Sequence, residues 1–475
     1  MKSNITLKKI SKPILLILIA FTIQSCFVAK DYSRPEFEET NNLYRTDQLP
    51  EDSLSLADIS WKQLFTDQYL QQYIEEGLQN NIDIRIAIQQ IIAAEAYVKQ
   101  GKAGFLPTIT GNASATRSYL SENGQQGAIL SSLGTDHIDQ FELSAALSWE
   151  ADIWGKIRSN KRAFQASYLQ SVAAHQAVKT QLIASIASTY YQLIALDEQL
   201  KVTRETIKTR EKGVETIQAL KEAGQENQVA VDQNIAQYNN AKALEVDLEV
   251  AIFQAENTLS LLLGKSPQHF DRNSLDNQTI DNELKLGLPA TILRNRPDVM
   301  AAEFGLIQTF ELTNVAKSNF YPSLTLSATS GLQSLDIDKL FNTSSLFANL
   351  VGGIAQPILN GRQIKTQHEV AKAQQEQALL TFKQTLLNAG NEVSNALYSY
   401  QAEVKKYEFV NNEVEALRKA EANSDELLKN GFANYLDLLT ARQSVLTAEL
   451  SVIDNKLQQL LSVVTLYEAL GGGWK

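Results

Sequence analysis

No proline occurs between Pro107 and Pro267, or anywhere after Pro357, in a chain of 475 residues. Proline removes a backbone donor and clashes one turn back, so it breaks helix interiors. Two gaps of that length without it read as very long helices. Few other classes survive the composition. One cysteine excludes an intrachain disulfide, and four scattered histidines (His137, His175, His269, His368) form no metal-ligand spacing. A formal charge of −11 leaves no basic patch for nucleic acid. No Walker-type glycine-rich loop and no His, Asp or Ser constellation points to an enzyme, so neither cofactor nor metal is expected. Only two methionines, one the initiator, give no support for a copper-binding lumen.

Residues 1–25 read as an export signal. Lys2, Lys8, Lys9 and Lys12 precede a short apolar run from Pro13 to Phe21, and Ser25-Cys26 follows. The run is shorter than the roughly 20 residues a membrane helix needs. The segment resembles a bacterial lipoprotein signal peptide, which makes Cys26 the lipidation site; an ordinary export signal with an incidental cysteine is the other reading. Removal of residues 1–25 deletes four lysines and brings the charge to −15.

The chain is an internal tandem duplication. Phe105-Leu106-Pro107-Thr108 and Phe320-Tyr321-Pro322-Ser323 share an offset of 215 in sequence number, as do Asp83 and Asp298, and Lys102 and Lys317. Gly155 and Gly361 are separated by 206, Gly224 and Gly431 by 207, and Leu263-Gly264 and Leu470-Gly471 by 207. The change of spacing places about nine extra residues in the first copy, in the 118–135 stretch that reads as a loop.

Each copy repeats one order: helix, two strands, a very long helix, a turn, a return helix. Ile109, Gly111, Ala113 and Ala115 alternate with small polar residues, and Phe141, Leu143, Ala145, Leu147 and Trp149 do the same. Leu324, Leu326 and Ala328 repeat the pattern in the second copy. Period two fits transmembrane β-strands with one lipid face, or the surface hairpins of a soluble domain. Four strands cannot close a barrel, so membrane strands require several chains to pool them. Ile186, Leu193, Leu200, Ile207 and Val214 recur every seven residues, as do Val393, Tyr400, Tyr407 and Val414. Such a stripe supercoils packed helices, and a helix of about 67 residues is roughly 100 Å long. A soluble two-chain coiled coil shares the stripe but explains neither the strands nor the signal.

The expected boundaries are a signal peptide at 1–25, an extended anchor segment at 26–60, repeat 1 at 61–264, a linker at 265–291 and repeat 2 at 292–475. Repeat 1 holds strands near 108–118 and 139–149, a long helix near 155–222 and a return helix near 227–263. Repeat 2 holds a helix near 297–318, strands near 323–331 and 346–356, a long helix near 361–429 and a return helix near 434–470.

Gly287-Leu288-Pro289 followed by Arg296-Pro297-Asp298 and Ala302-Glu303, and the ending Leu466-Tyr467-Glu468-Ala469-Leu470-Gly471-Gly472-Gly473-Trp474, carry a family resemblance. Asp31-Tyr32-Ser33-Arg34-Pro35, Trp61 to Phe65, Glu150 to Arg158 and Gln356 to Arg362 extend it along the whole chain. The sequence resembles the TolC-like outer-membrane efflux channels, outer-membrane factor lipoproteins of the NodT or OprM type. The resemblance implies a mainly α fold with transmembrane β-strands: a homotrimer pooling a 12-stranded outer-membrane barrel, continued by a long periplasmic α-helical barrel. It implies passive conduction of drugs, toxic solutes or metal ions delivered by a periplasmic adaptor and an inner-membrane pump of the resistance-nodulation-division class. The chain would be lipid-anchored in the outer membrane and extend into the periplasm. A channel for protein or peptide secretion is the runner-up, and a soluble periplasmic coiled-coil adaptor is a further rival.

By the same resemblance, the helix turns at Gly224 and Gly431 are the adaptor-docking surface. Asp437, six residues past Gly431, matches an aperture carboxylate; a helix-cap partner is the bland reading of the same residue. In the first copy Ala230 stands at the equivalent place, and Asp232 is the nearest acid. Trp149, at a strand end near the helix start, fits an interfacial aromatic anchor, with packed core as its other reading.

Overall fold

The structure is a computed structural model that describes residues 28–38, 59–278, 296–432 and 434–474. Cys26 and the signal peptide, residues 39–58 of the expected anchor segment, and residues 279–291 of the expected linker with Gly287-Leu288-Pro289 lie outside the described residues. Among the described residues the helices are α1 (Trp61–Leu64), α2 (Gln68–Asn80), α3 (Ile82–Ala103), α4 (Gln125–Ser132), α5 (Lys156–Glu222), α6 (Gln228–Leu262), α7 (Pro297–Ser318), α8 (Gln363–Lys429) and α9 (Tyr435–Ala469). The strands are β1 (Thr108–Tyr119), β2 (His137–Ala151), β3 (Ser323–Ser334) and β4 (Leu346–Ala355).

The duplication is written into these boundaries. Both ends of α3 and of β1 recur in α7 and β3 with sequence numbers higher by 215, and both ends of α5 and of α6 recur in α8 and α9 with numbers higher by 207. The same chemistry ends corresponding helices. Gly224, Gly264, Gly431 and Gly471 all have φ between +68° and +81°. In each case the glycine N–H donates three residues back and the next N–H donates five residues back, as in Gln225 N–H to the Leu220 carbonyl (2.9 Å) and Phe432 N–H to the Leu427 carbonyl (2.8 Å). This is the Schellman arrangement, which needs a left-handed residue that glycine adopts without a Cβ penalty.

The chain divides into two compact units. The first comprises residues up to 35, 92–170 and 303–381. Its centre is an antiparallel sheet in the order β1-β2-β3-β4. The apolar rows run in register across all four strands, while the polar alternation is kept by β1, β2 and β3. Ile109 faces Leu147, Leu147 faces Ala328 and Ala328 faces Leu350; Ala113, Leu143, Leu332 and Leu346 form a second such row. Rows of the opposite parity are mostly polar or small in β1, β2 and β3, as in Asn112, Ser144 and Gly331, and meet Phe347 and Val351 in β4. Successive side chains point to opposite faces, so β1 to β3 carry one apolar and one mainly polar face, and β4 is apolar on both. Asp152 then starts α5: its carboxylate accepts from the backbone N–H groups of Ile157 (2.8 Å) and Arg158 (3.0 Å), satisfying donors that a helix start leaves free.

The 118–135 stretch, expected to be loop from its Ser, Gly, Asn and Gln content, is loop only in part. It contains the end of β1 and the short helix α4. Gly134, at φ +76°, ends that helix with the same glycine cap. Composition marked the glycine but hid the short apolar run Ala128-Ile129-Leu130 that it terminates.

The second unit comprises residues 36–91, 171–302 and 382–475. Its main core gathers Phe65, Leu70, Ile74, Ile186, Tyr190, Leu193, Leu259, Val464 and Leu470, each at most 2 % exposed. Burial of each large side chain contributes about 1.5–3 kcal/mol. Asp67 is buried among them and accepts from the Tyr69 backbone N–H (2.9 Å), Tyr190 Oη (2.8 Å) and Gln278 Nε2 (2.7 Å). The seven-residue stripe holds through Ile186, Leu193, Leu200 and Ile207, all buried. It then drifts: Val214 is half-buried, and Arg210, Gly213 and Ile217 are the buried positions instead. A straight helix falls out of step with a seven-residue repeat by about 20° per heptad.

Candidate gate at the helix turns

Where α5 meets α6, and α8 meets α9, four residues form a small apolar cluster: Ile217, Val231, Tyr435 and Leu438, none more than 5 % exposed. Ile217 comes from α5, Val231 from α6, and Tyr435 and Leu438 from α9. Leu428 of α8 packs against them.

Both return helices start with an asparagine, but they are capped differently. Asn227 Oδ1 accepts from the Ala230 N–H (3.0 Å). Asn434 Oδ1 accepts from the Asp437 N–H (3.0 Å), and the Asp437 carboxylate accepts from the Asn434 N–H in return (3.3 Å). The second copy therefore closes a capping box that the first leaves half-made. Asp437 is exposed and committed to this box. Asp232, two residues past the equivalent position in α6, is exposed and accepts from Gln228 Nε2 (2.8 Å), while Gln228 Oε1 accepts from Lys221 Nζ. Gly224 and Gly431 provide the caps on the other side of each turn. Phe432 and Val229 stand exposed beside them.

Polar links behind the turn follow a rule. Ion pairs run within one helical hairpin: Arg204 to Glu245 (2.9 Å) and Glu249 (2.6 Å) joins α5 to α6. Arg418 to Glu449 (2.6 Å), with Arg442 to Glu421 (3.4 Å) and Asp425 (3.5 Å), joins α8 to α9. Links between the hairpins use neutral acceptors. The Tyr435 hydroxyl donates to Asn234 Oδ1, and Asn234 Nδ2 donates to the Ala230 carbonyl (2.8 Å). Arg210 of α5 donates to Gln443 Oε1 of α9 (2.6 Å), and within its own hairpin to the Gln237 carbonyl. Arg210 is buried, and desolvation pulls its pKa down from the usual guanidinium value. Gly213 lets this network approach: a Cβ there would lie 3.3 Å from Tyr435 Oη and 3.5 Å from Arg442 Nη1.

The sequence singled out the two glycines and Asp437 but missed Tyr435, Asn234, Arg210 and Gln443. The seven-residue stripe read through Val214 gave no sign of them; the inward turn of Arg210 and Gly213 shows only in their burial. Trp149 lies near the end of β2 and donates its indole N–H to the Phe105 carbonyl (3.0 Å).

The blocks that carry the family resemblance have structural roles. Trp61 and Phe65 lie in the main core, and Leu466, Tyr467 and Leu470 pack there too. Among the described residues no group of three or more His, Cys, Asp or Glu side chains could hold a metal ion, and no helix is long and apolar enough to cross a membrane.

Comparison with known proteins agrees with this architecture. The solvent efflux pump outer membrane protein SrpC of Pseudomonas putida is 29 % identical over 415 residues, covering 87 % of each chain. The cation efflux system protein CusC of Escherichia coli is 27 % identical over 463 residues, covering 96 % of this chain and 98 % of CusC. The crystal structure of the open-state MtrE outer membrane channel of Neisseria gonorrhoeae superposes with a TM-score of 0.81 at 26 % identity, covering 94 % of this chain and 98 % of that one. The outer membrane efflux protein family matches residues 73–265 and 288–472, and the chain belongs to that family.

Proposed function

We propose that three copies of this chain form the outer-membrane channel of a tripartite efflux system. It conducts small molecules, whether drugs, toxic solutes or metal ions, passively from an inner-membrane pump and a periplasmic adaptor to the exterior. The observation that carries this reading is the sheet: four strands of 12, 15, 12 and 10 residues, with one face apolar across all four and the other mainly polar in the first three. A tilted membrane strand needs about 9–11 residues. Strands β1 and β4 are the two ends of the strand order. A sheet edge is not tolerated in lipid, so β1 of one copy must pair with β4 of the next. Three copies close a 12-stranded barrel. Helices α5, α6, α8 and α9 then supply twelve helices to the periplasmic tunnel.

Cys26 carries the lipid anchor in this reading. Trp149 sits at the membrane interface. The turns at Gly224 and Gly431 receive the adaptor. Asp437, supported by Asp232, sets the charge of the closed aperture, and three Asp437 carboxylates about a three-fold axis attract cations. Opening separates the α8–α9 hairpin from the α5–α6 hairpin. That motion breaks the hydrogen bonds Tyr435–Asn234 and Arg210–Gln443 and leaves the ion pairs within each hairpin intact.

Native mass spectrometry with planar-bilayer recording tests the reading. We expect a species of three chains that conducts ions and favours cations. A monomer without conductance would contradict it.

A further inference from the structure

The pairing of strands inside one chain holds a template for pairing between chains. β1 and β3 differ by 215 in sequence number at both ends. Thr108 faces Ser148 and Ser323 faces Ala355, so Ala355 is the counterpart of Ser148 at an offset of 207. The same offset runs on through the junction into the long helices. α8 starts 207 after α5, and Arg362, at φ +68°, takes the left-handed place of Gly155, at φ +78°. Residue identity alone matches Gly155 to Gly361 at 206, one step out. In a strand that step exchanges the two faces.

β2 and β3 form the seam between the two repeats, where Ala151 faces Leu324, Leu147 faces Ala328 and Leu143 faces Leu332. Replacing every residue by its counterpart in the other repeat turns this seam into one between the two free edges, β4 and β1. Resting on the three-copy channel, we propose that β4 pairs antiparallel with β1 of a second copy in one register: Ile358 opposite Ile109, Ile354 opposite Ala113 and Leu350 opposite Arg117. Residues 356–358 join β4 as strand when the second copy arrives.

The single chain leaves this joint open on both sides. Ile358 is 92 % exposed, Ile354 75 % and Ile109 69 %. β4 stops at Ala355 because its own partner β3 starts opposite, at Ser323. Its counterpart β2 stays paired as far as Ala151, the equivalent of Ile358. Backbone direction agrees. Hydroxyls of β3 reach the carbonyls of Phe347 (Ser330 Oγ, 3.1 Å) and Ala355 (Ser323 Oγ, 3.3 Å). Odd-numbered residues of β4 therefore turn their backbone groups toward β3, and even-numbered ones turn theirs to the open edge. Pro357 lacks its N–H on the side of its own chain, while Gln356 and Ile358 keep theirs for the newcomer.

Cysteine pairs in the full chain test the register. Facing antiparallel residues have Cα atoms about 4.5–5.5 Å apart, within reach of a disulfide, whereas a shift of four residues adds about 13 Å. Membranes carrying Ile109→Cys/Ile358→Cys, oxidised in air with copper phenanthroline, should give a reducible covalent trimer on non-reducing gels. The yield should be about tenfold or more above that of the shifted pair Ile109→Cys/Ile354→Cys. A trimer from the shifted pair in place of the predicted one overturns the register and leaves the three-chain channel standing. The register also falls if neither pair cross-links in a sample that native mass spectrometry shows as three chains. A single-chain species overturns the channel reading and the proposal with it. Should Ile109→Cys/Ile358→Cys fail to assemble, Ala113→Cys/Ile354→Cys decides: a covalent trimer supports the register and its absence removes it.

Discussion

The Tyr435 hydroxyl donates to Asn234 Oδ1 across a sequence separation of 201, joining the first turn of α9 to α6. Both residues are buried, Tyr435 beside Ile217 and Leu438. The bond thus ties together equivalent hairpins of the two repeats at the level of the helix turns.

Tyr435→Phe keeps the ring in the apolar cluster and deletes only the hydroxyl. A neutral hydrogen bond contributes about 1 kcal/mol, a factor of about five in an equilibrium. Open probability in planar bilayers should rise about fivefold. A closed-channel frequency equal to wild type would remove the bond from the gate.

Gln443→Leu leaves the buried Arg210 guanidinium with the Gln237 carbonyl as its described acceptor. An unsatisfied buried donor costs about 1–3 kcal/mol, so thermal stability should fall. Arg210→Met in the same chain should restore it, because an apolar replacement removes the buried charge itself. Melting curves of the two single variants and the double variant give the coupling; simple additivity would disconnect Arg210 from Gln443.

The capping box separates two roles of Asp437. Asp437→Asn removes the charge, but its amide oxygen still accepts from the Asn434 N–H. Cation selectivity should drop while the melting temperature stays constant; unaltered selectivity would leave Asp437 as a helix cap alone. Ala230→Asp completes the box in the first copy and should slow hydrogen exchange at the start of α6, since a cap contributes about 0.5–2 kcal/mol.

These residues show how far the sequence could be read. Proline-free gaps and offsets of 215 and 207 specify helices, strands and the repeat, because helix ends are local chemistry: glycine at positive φ on one side, asparagine on the other. The strand alternation is equally local, and its apolar rows reappear in register across the sheet. The contacts between the hairpins are not local. Tyr435 meets Asn234, and Arg210 meets Gln443, over sequence separations of 201 and 233. Nothing in the spacing of a tyrosine and an asparagine announces such pairs. Arg296 is a similar case, since the Arg-Pro-Asp motif was visible but its acidic surroundings, Glu392 and Glu468, come from other helices.

Glu468 predicts an unusual pH dependence. Its carboxyl is held near 7 in the fold against an ordinary value of 4.5. Between those values the native chain keeps a proton that the unfolded chain releases, so this group's contribution to stability falls as pH rises from 4.5 to 7 and is constant above. Glu468→Gln should therefore melt higher than wild type at pH 8 and level with it at pH 4.5. An equal offset at both pH values would mean that Glu468 does not titrate in this window.

Cys26→Ser should release the mature chain from lipid processing, seen as loss of the acyl mass by intact mass spectrometry. An unchanged mass shift would place the modification elsewhere. Acyl chains contribute about 0.8 kcal/mol per buried methylene, so in the proposed assembly the anchor would supplement the barrel.

The central claim is that β1 and β4 find their missing partners in neighbouring copies. Cryo-electron microscopy of the full chain in lipid nanodiscs tests it directly. The account predicts three copies sharing one closed barrel, with β1 of each paired antiparallel to β4 of the next. A particle in which β1 or β4 keeps a free edge in the bilayer, or in which the sheet stands outside the bilayer, would contradict it.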